Sequence, residues 1–320
     1  MRRSLHAGCF LLAVAGLCPA PAHAAYPDRP IHLVVPFSPG GGVDVIARLV
    51  AHRLGERINQ AVIVENRSGA GGNIANQYVA RAAPDGYTLL MASPAAAINA
   101  TLYPNAGYHF ATDLVPVAAV LSSTMLLVVA SDSPIHDVRD LIARAHTSPG
   151  ALNYASAGVG SSEHLAGELF GQMAEIAVVH VPYKGSGLAM NDLLGGQVQF
   201  MFGGAAGLLP QVQAGQLRAL AQTGKTPQPD MPDIPTMDQA GVPKYDVIIW
   251  NGVMAPKGTP PGIIEFLNTE ISATADDLAP RFKALGGQAM TMTPWTFRAV
   301  IADQIAKWAA VIEKANVHAN

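Results

Sequence analysis

The sequence predicts an α/β fold in which parallel strands alternate with helices that cover the sheet. Three observations carry this reading. Short apolar runs recur along the chain and are followed by apolar residues at helical spacing. Glycine-rich turns stand between strand and helix. The order strand, glycine loop, helix occurs in each half of the chain, without a residue-level repeat between the halves.

Ile31 to Pro36 is the first such run and reads as a buried strand. Phe37-Ser38-Pro39-Gly40-Gly41-Gly42 is turn chemistry, after which Ile46, Leu49, Val50 and Leu54 mark a helix. Asp44 falls in its first turn, where a carboxylate favours the helix dipole. Ala61 to Val64 is a second strand, Ser68 to Gly72 a second glycine loop, and a helix is expected from about Asn73 to Ala83. Tyr87 to Met91 is a third strand. The plan returns with a strand over Met125 to Ala130, a helix over Asp137 to His146, and a short strand around Asn153-Tyr154-Ala155. That strand enters the loop Ser156 to Ser162, and a helix follows through about Met173. Val178 to Pro182 and Val198 to Phe202 are further strands. Pro227, Pro229, Pro232 and Pro235 predict a stiff extended connector. Beyond it, Val247 to Met254 is a strand, and two or three helices end the chain. The pattern assigns the core face of the last helix to Ala299, Ala302, Ile305, Ala306, Ala309 and Ile312.

The chain has 320 residues, half of them hydrophobic and 13% charged, which is enough for about two packed domains. Its formal charge of −3 argues against nucleic-acid binding, which needs a basic patch for phosphates. Residues 1–24 read as an export signal. Arg2 and Arg3 form the positive region, Ala7 to Leu17 the apolar region, and Ala22-His23-Ala24 the cleavage site, with cleavage expected after Ala24. The apolar stretch is too short for a membrane anchor and is broken by Pro19 and Pro21. Both cysteines, Cys9 and Cys18, lie in this segment, so the mature chain can hold no disulfide, cysteine metal site or thiol nucleophile. Losing Arg2 and Arg3 takes the charge to −5.

No phosphate-binding loop, dinucleotide fingerprint, nucleophile elbow or His-Glu-x-x-His motif occurs, so the sequence offers an enzyme no assembled machinery. A secreted α/β hydrolase is the only enzymatic alternative, and no cofactor or metal is expected. His164, flanked by Glu163 and Glu168, reads as a residue that packs near a helix start. The two loops Ser38–Gly42 and Gly158–Ser162 each run from a strand end into a helix. Such loops aim backbone N–H groups and a helix dipole at one point and let a ligand approach the main chain. Neither contains Lys or Arg, which suits a small carboxylate better than a polyphosphate.

These residues carry a resemblance. Val35 to Asp44 with Ala47-Arg48 is similar to the signature of the Bug (TctC-type) extracytoplasmic solute receptors of tripartite tricarboxylate transporters. Val64 to Gly72, Pro84 to Leu89, Gly158 to Leu165, Val181 to Gly185 and Ala214 to Ala221 match further family blocks in order. The resemblance implies a two-lobed periplasmic-binding-protein fold, a Venus flytrap of mixed sheets flanked by helices with two crossover strands as hinge. The expected lobes are 25–122 plus 252–320, and 123–251, with crossovers at Leu121–Thr124 and Trp250–Gly252. It also implies a carboxylate ligand held by Phe37, Ser38, Gly40, Gly41 and Gly42, by Ser93, and by Gly158, Gly160 and Ser161, with Asp44 and His164 supporting the loops. The implied role is a monomeric periplasmic receptor that hands its ligand to two membrane subunits of a transporter; the alternative partner is a sensor kinase. Many relatives have Asp after the Phe200-Met201-Phe202 strand, whereas this chain has Gly203-Gly204, so no counter-charge for a ligand ammonium group is expected there.

Overall fold

The computed structural model describes residues 26–315 and 317–319; the segment expected to be an export signal, with its expected cleavage site, lies outside the described residues. In chain order the elements begin with β1 (Ile31–Val35), α1 (Gly42–Ile58), β2 (Val62–Asn66), a single 3₁₀ turn (Ala70–Gly72), α2 (Asn73–Ala80), β3 (Thr88–Ala92), α3 (Pro94–Leu102), α4 (Phe110–Asp113) and β4 (Leu114–Ala130). They continue with α5 (Val138–Thr147), β5 (Asn153–Ser156), α6 (Ser162–Met173), β6 (Val179–Pro182), α7 (Ser186–Leu194), β7 (Phe200–Gly204), α8 (Ala205–Gln213) and β8 (Leu217–Gln222). The chain closes with β9 (Ile248–Pro256), α9 (Pro261–Asp277), α10 (Ala279–Ala284), β10 (Gly287–Ala289) and α11 (Pro294–Ala315).

The strands follow the order β2-β1-β3-β9-β4-β7-β5-β6, with β10 and β8 also pairing with β4. β1 pairs in parallel with β2 and β3, and β5 in parallel with β6 and β7, as the strand–helix alternation requires. β4 and β9 run antiparallel to their neighbours, so the sheets are mixed.

β4 is the structural axis. Its 17 residues span roughly 55 Å at about 3.3 Å per residue. Leu114 to Thr124 pair with β9, and Leu121 to Ser123 also with β10, whereas Met125 to Ala130 pair with β7 and β8. One strand thus belongs to two sheets in turn. The sequence reading recognised only the second part of this strand. Pro116 interrupts the first part; the register shifts between Pro116 and Ala118, which lets the ladder absorb a residue without an N–H.

The core of the first sheet is built by Ile31, Leu33 and Val35 against Ile46, Val50 and Leu54 of α1 and Leu267 and Ile271 of α9, all buried. A second cluster under α7 and α8 joins Leu126 and Val128 to Leu193 and Leu208. A larger cluster joins both sheets through Phe170, Phe200, Phe202 and Trp308. The last helix lies differently from the sequence expectation. Phe297, Ile301, Trp308 and Ile312 form its buried stripe, while Ala299, Ala302 and Ala306 face solvent. Alanines occur all round this helix, so the large side chains, which bury far more area, decide its rotation.

Candidate functional site

The loop after β1 is fixed from below. Asp44, 3% exposed, accepts the Gly40 N–H at 2.9 Å and is bonded by Arg48 Nε at 3.0 Å and Asn66 Nδ2 at 2.8 Å. Asn66 Nδ2 also donates to the Phe37 carbonyl. Burial raises the Asp44 pKa, but the hydrogen bonds from Arg48, Gly40 and Asn66 outweigh it and hold the carboxyl below its ordinary range. Gly40 has φ +85°, a left-handed conformation that glycine adopts without strain.

The loop after β5 has an equivalent support. The Gly160 N–H donates to His164 Nδ1 at 3.2 Å, and the Gly158 N–H donates to Ser156 Oγ at 3.0 Å. Ser156 Oγ lies 2.6 Å from His180 Nε2, and the His164 and His180 rings stack at 4.1 Å. Burial lowers both histidine pKa values, that of His180 to about 3, with the neighbouring His164 adding to the effect. Both rings are therefore neutral near pH 7, which keeps the His164 Nδ1 lone pair available to the Gly160 N–H.

The loops meet across an interface made of glycine. A Cβ at Gly185 would overlap Ser38, one at Gly187 would overlap the Pro39 carbonyl, and one at Gly71 would overlap the Val159 carbonyl. Gly42 packs on Gly204 and Gly207. The Ser38 N–H donates to the Lys184 carbonyl at 3.2 Å. Backbone thus lies on backbone where the two sheets' loops face each other.

Between them is a cavity of about 20 Å³, room for roughly one water. The N-termini of four helices border it, through Gly42 of α1, Ser93 and Pro94 at the start of α3, Ser162 and Glu163 of α6, and Gly204 before α8. The cap positions of α1, α3 and α8 make no side-chain hydrogen bond, so first-turn N–H groups lack a capping acceptor. Ser161 does cap α6, accepting the His164 N–H. Trp250 and Asn251 of β9 close the cavity, and the Trp250 ring is set edge-on against Phe297 at 5.4 Å. Ser93 and Trp250 are each 3% exposed, and Ser93 Oγ and Trp250 Nε1 have no hydrogen-bond partner. Buried donors are rarely left unpaired in folded proteins, and here two belong to residues that border one cavity.

Of the sequence-predicted site residues, Phe37, Gly42 and Ser93 border this cavity. Ser38, Gly40 and Gly41 lie on the loop beside it, with Ser38 against Gly185 and Gly41 against Ser186. The Gly40, Gly158 and Gly160 N–H groups are engaged within their own loops, and Ser161 is occupied as a cap. Sequence reasoning missed Glu163, Gly204, Trp250 and Asn251 as site residues. Position after a strand could have flagged Gly204; Trp250 carries no signal beyond its place in an apolar run. A side chain at Gly203 would run into Leu208, which does not border the cavity, and the acid beside the cavity is Glu163.

The sequence profile of the tripartite tricarboxylate transporter family receptors, TctC, matches residues 46–317. The chain belongs to this receptor family. Solved structures place the TctC receptor among two-lobed periplasmic binding proteins. Periplasmic binding protein BugD superposes with a TM-score of 0.88 at 35% identity, covering 92% of this chain and 99% of BugD. Rhodopseudomonas palustris Rpa4515, solved with adipate, gives 0.88 at 36% identity, covering 92% and 99%. MatC from the same organism, solved with bound malate, gives 0.85 at 31%, covering 90% and 100%. The TctC family is one of solute receptors, not of enzymes. Among the described residues, no helix is long and apolar enough to cross a membrane, and no group of three or more His, Asp or Glu is placed to hold a metal ion.

Proposed function

We propose that this TctC-family chain is an exported receptor that closes two lobes on a small carboxylate and delivers it to the membrane subunits of a tripartite transporter. The observation that carries the reading is the interlobe cavity, bordered by four helix N-termini and by the unpaired buried donors Ser93 Oγ and Trp250 Nε1. Helix N-termini and neutral donors are a carboxylate site without a fixed cation. The two carboxylate-bound relatives support the ligand class.

On this reading the lobes are 25–122 plus 252–320, and 123–251, hinged at Leu121–Thr124 and Trp250–Gly252. The change of β4 partners at Thr124–Met125 supports the first crossover. A ligand of several heavy atoms exceeds a cavity of about 20 Å³, so binding parts the Ser38–Gly42 and Gly158–Ser162 loops and rebuilds their contact around the ligand. Phe37, Gly41, Gly42 and Ser93 face the ligand, with Ser38, Gly40, Gly158, Gly160 and Ser161 shaping the loops around it.

The test is calorimetry on the mature chain with carboxylates, sugars and amines, followed by uptake of the tightest-binding labelled acid into cells carrying the two membrane subunits, with and without this chain. Binding restricted to acids and uptake that depends on the chain are expected. Binding restricted to sugars or amines overturns the ligand class, and uptake indifferent to the chain overturns the transport role. The intact mass of the exported protein checks cleavage after Ala24.

A further inference from the structure

Glu163 is the one ionisable side chain among the described residues bordering the interlobe cavity. Its place in the first turn of α6 is favourable for a carboxylate, but α6 is already capped by Ser161. The Glu163 carboxylate turns instead to Ser186 at the start of α7, accepting its Oγ hydrogen at 2.8 Å, with further hydrogen bonds from its own N–H and from Ser161. An ionised carboxylate offers about four acceptor positions, so one is left over. No Lys, Arg or His borders the cavity to neutralise it. Burial pushes the Glu163 pKa up, against the hydrogen bonds from its own N–H, Ser186 and Ser161.

The cavity is therefore polarised. Ser93 Oγ and Trp250 Nε1 are donors that want an acceptor, and Glu163, when ionised, is an acceptor-only group that wants a donor. A plain dicarboxylate satisfies the donors but sets a second negative charge near Glu163. An acid with a hydroxyl or ammonium group next to its carboxylate satisfies both ends, and a buried ammonium needs such a partner.

We infer that Glu163 is the specificity-determining residue of this receptor, selecting small carboxylates that carry a hydroxyl or ammonium donor close to the carboxylate. The inference rests on reading the cavity as a carboxylate site.

The experiment is calorimetric binding of two matched series, succinate with malate and aspartate, and glutarate with 2-hydroxyglutarate and glutamate, to the wild-type chain and to Glu163→Gln. Gln keeps the shape and can still accept from Ser186. A hydrogen bond to a charged group is worth roughly ten- to hundredfold in affinity. In at least one series the wild type is expected to prefer the hydroxy or amino member over the parent acid by about that factor. The variant should bring the members to within about threefold, most sharply for the amino acid. Should Glu163→Gln fail to fold by circular dichroism, Glu163→Ala is read in the same series. An unchanged ratio in a folded variant, or a wild type that binds the parent acids at least as well as the others, overturns the inference while leaving the carboxylate site standing. A wild type that binds none of the six acids overturns the inference, and the carboxylate reading falls with it only if the wider calorimetric panel of acids is also blank.

Discussion

At the scale of the residue, the loops owe their shape to buried side chains beneath them. Asp44 holds Gly40, Arg48 and Asn66 together, so Asp44→Asn presents an amide to donors that need an anion. The expected loss is about 1–3 kcal/mol of stability, read from urea denaturation. Ser93 behaves oppositely. Its hydroxyl is buried without a partner, so Ser93→Ala should leave the unliganded protein as stable or slightly more so, yet weaken carboxylate binding by roughly two- to tenfold. Equal binding by the variant would remove Ser93 from the site. His180 sets an acid limit. Its folded pKa is about 3 against an ordinary 6.5, so below pH 6.5 the unfolded chain takes up a proton that the folded chain refuses. Stability should fall as pH drops from 6.5 towards 3, by up to about 1.4 kcal/mol per pH unit for this group. Denaturation midpoints across that range check it; His180→Gln should flatten the slope.

At the scale of the element, glycines on helices make the interface possible. Gly187 sits in the first turn of α7, its φ is ordinary, and the obstacle to a side chain there is the Pro39 carbonyl of the opposite loop. Gly187→Ala should therefore leave its own helix intact and add about 0.5–1 kcal/mol of helix propensity, while obstructing contact between the loops. The expected result is a lower unliganded melting temperature, because the Pro39 carbonyl stands where the new Cβ would lie, together with at least tenfold weaker ligand binding. Full affinity in this variant would mean that the loops need not meet. The left-handed glycines differ, since Gly40 is required by φ alone and Gly160 by φ together with the Asn99 side chain that a Cβ would meet.

At the scale of the whole molecule, the continuous β4 and its partner β9 link the sheets, while the loops between the sheets meet through glycine backbone. A molecule built this way can rotate its lobes about a few residues without unpacking either core. A carboxylate at 100 times its dissociation constant should stabilise the folded chain by about 2.7 kcal/mol, raising the melting midpoint by roughly 5 °C. Small-angle scattering should show the radius of gyration changing on ligand addition. An unchanged radius with a raised midpoint would mean that binding proceeds without lobe movement.

Much of this molecule was legible in its residues. Alternating apolar runs and glycine turns specify strand–loop–helix units, because period and turn chemistry are local properties. The family blocks, being ordered sequence, identify the receptor class. The supports under the loops, Asp44 and His164, were visible because they lie within a few residues of the glycines they hold. What only the tertiary structure decided depends on long-range contact. The cavity's donors and its acid come from Ser93, Glu163 and Trp250, which are far apart in the chain and are brought together by the meeting of two sheets. That a side chain at Gly203 would meet the buried core around Leu208 follows from its register with Leu126 and its packing on Leu208. The rotation of α11 was settled by which large side chains found the core, because an alanine-rich helix carries too little apolar contrast to choose a face by itself.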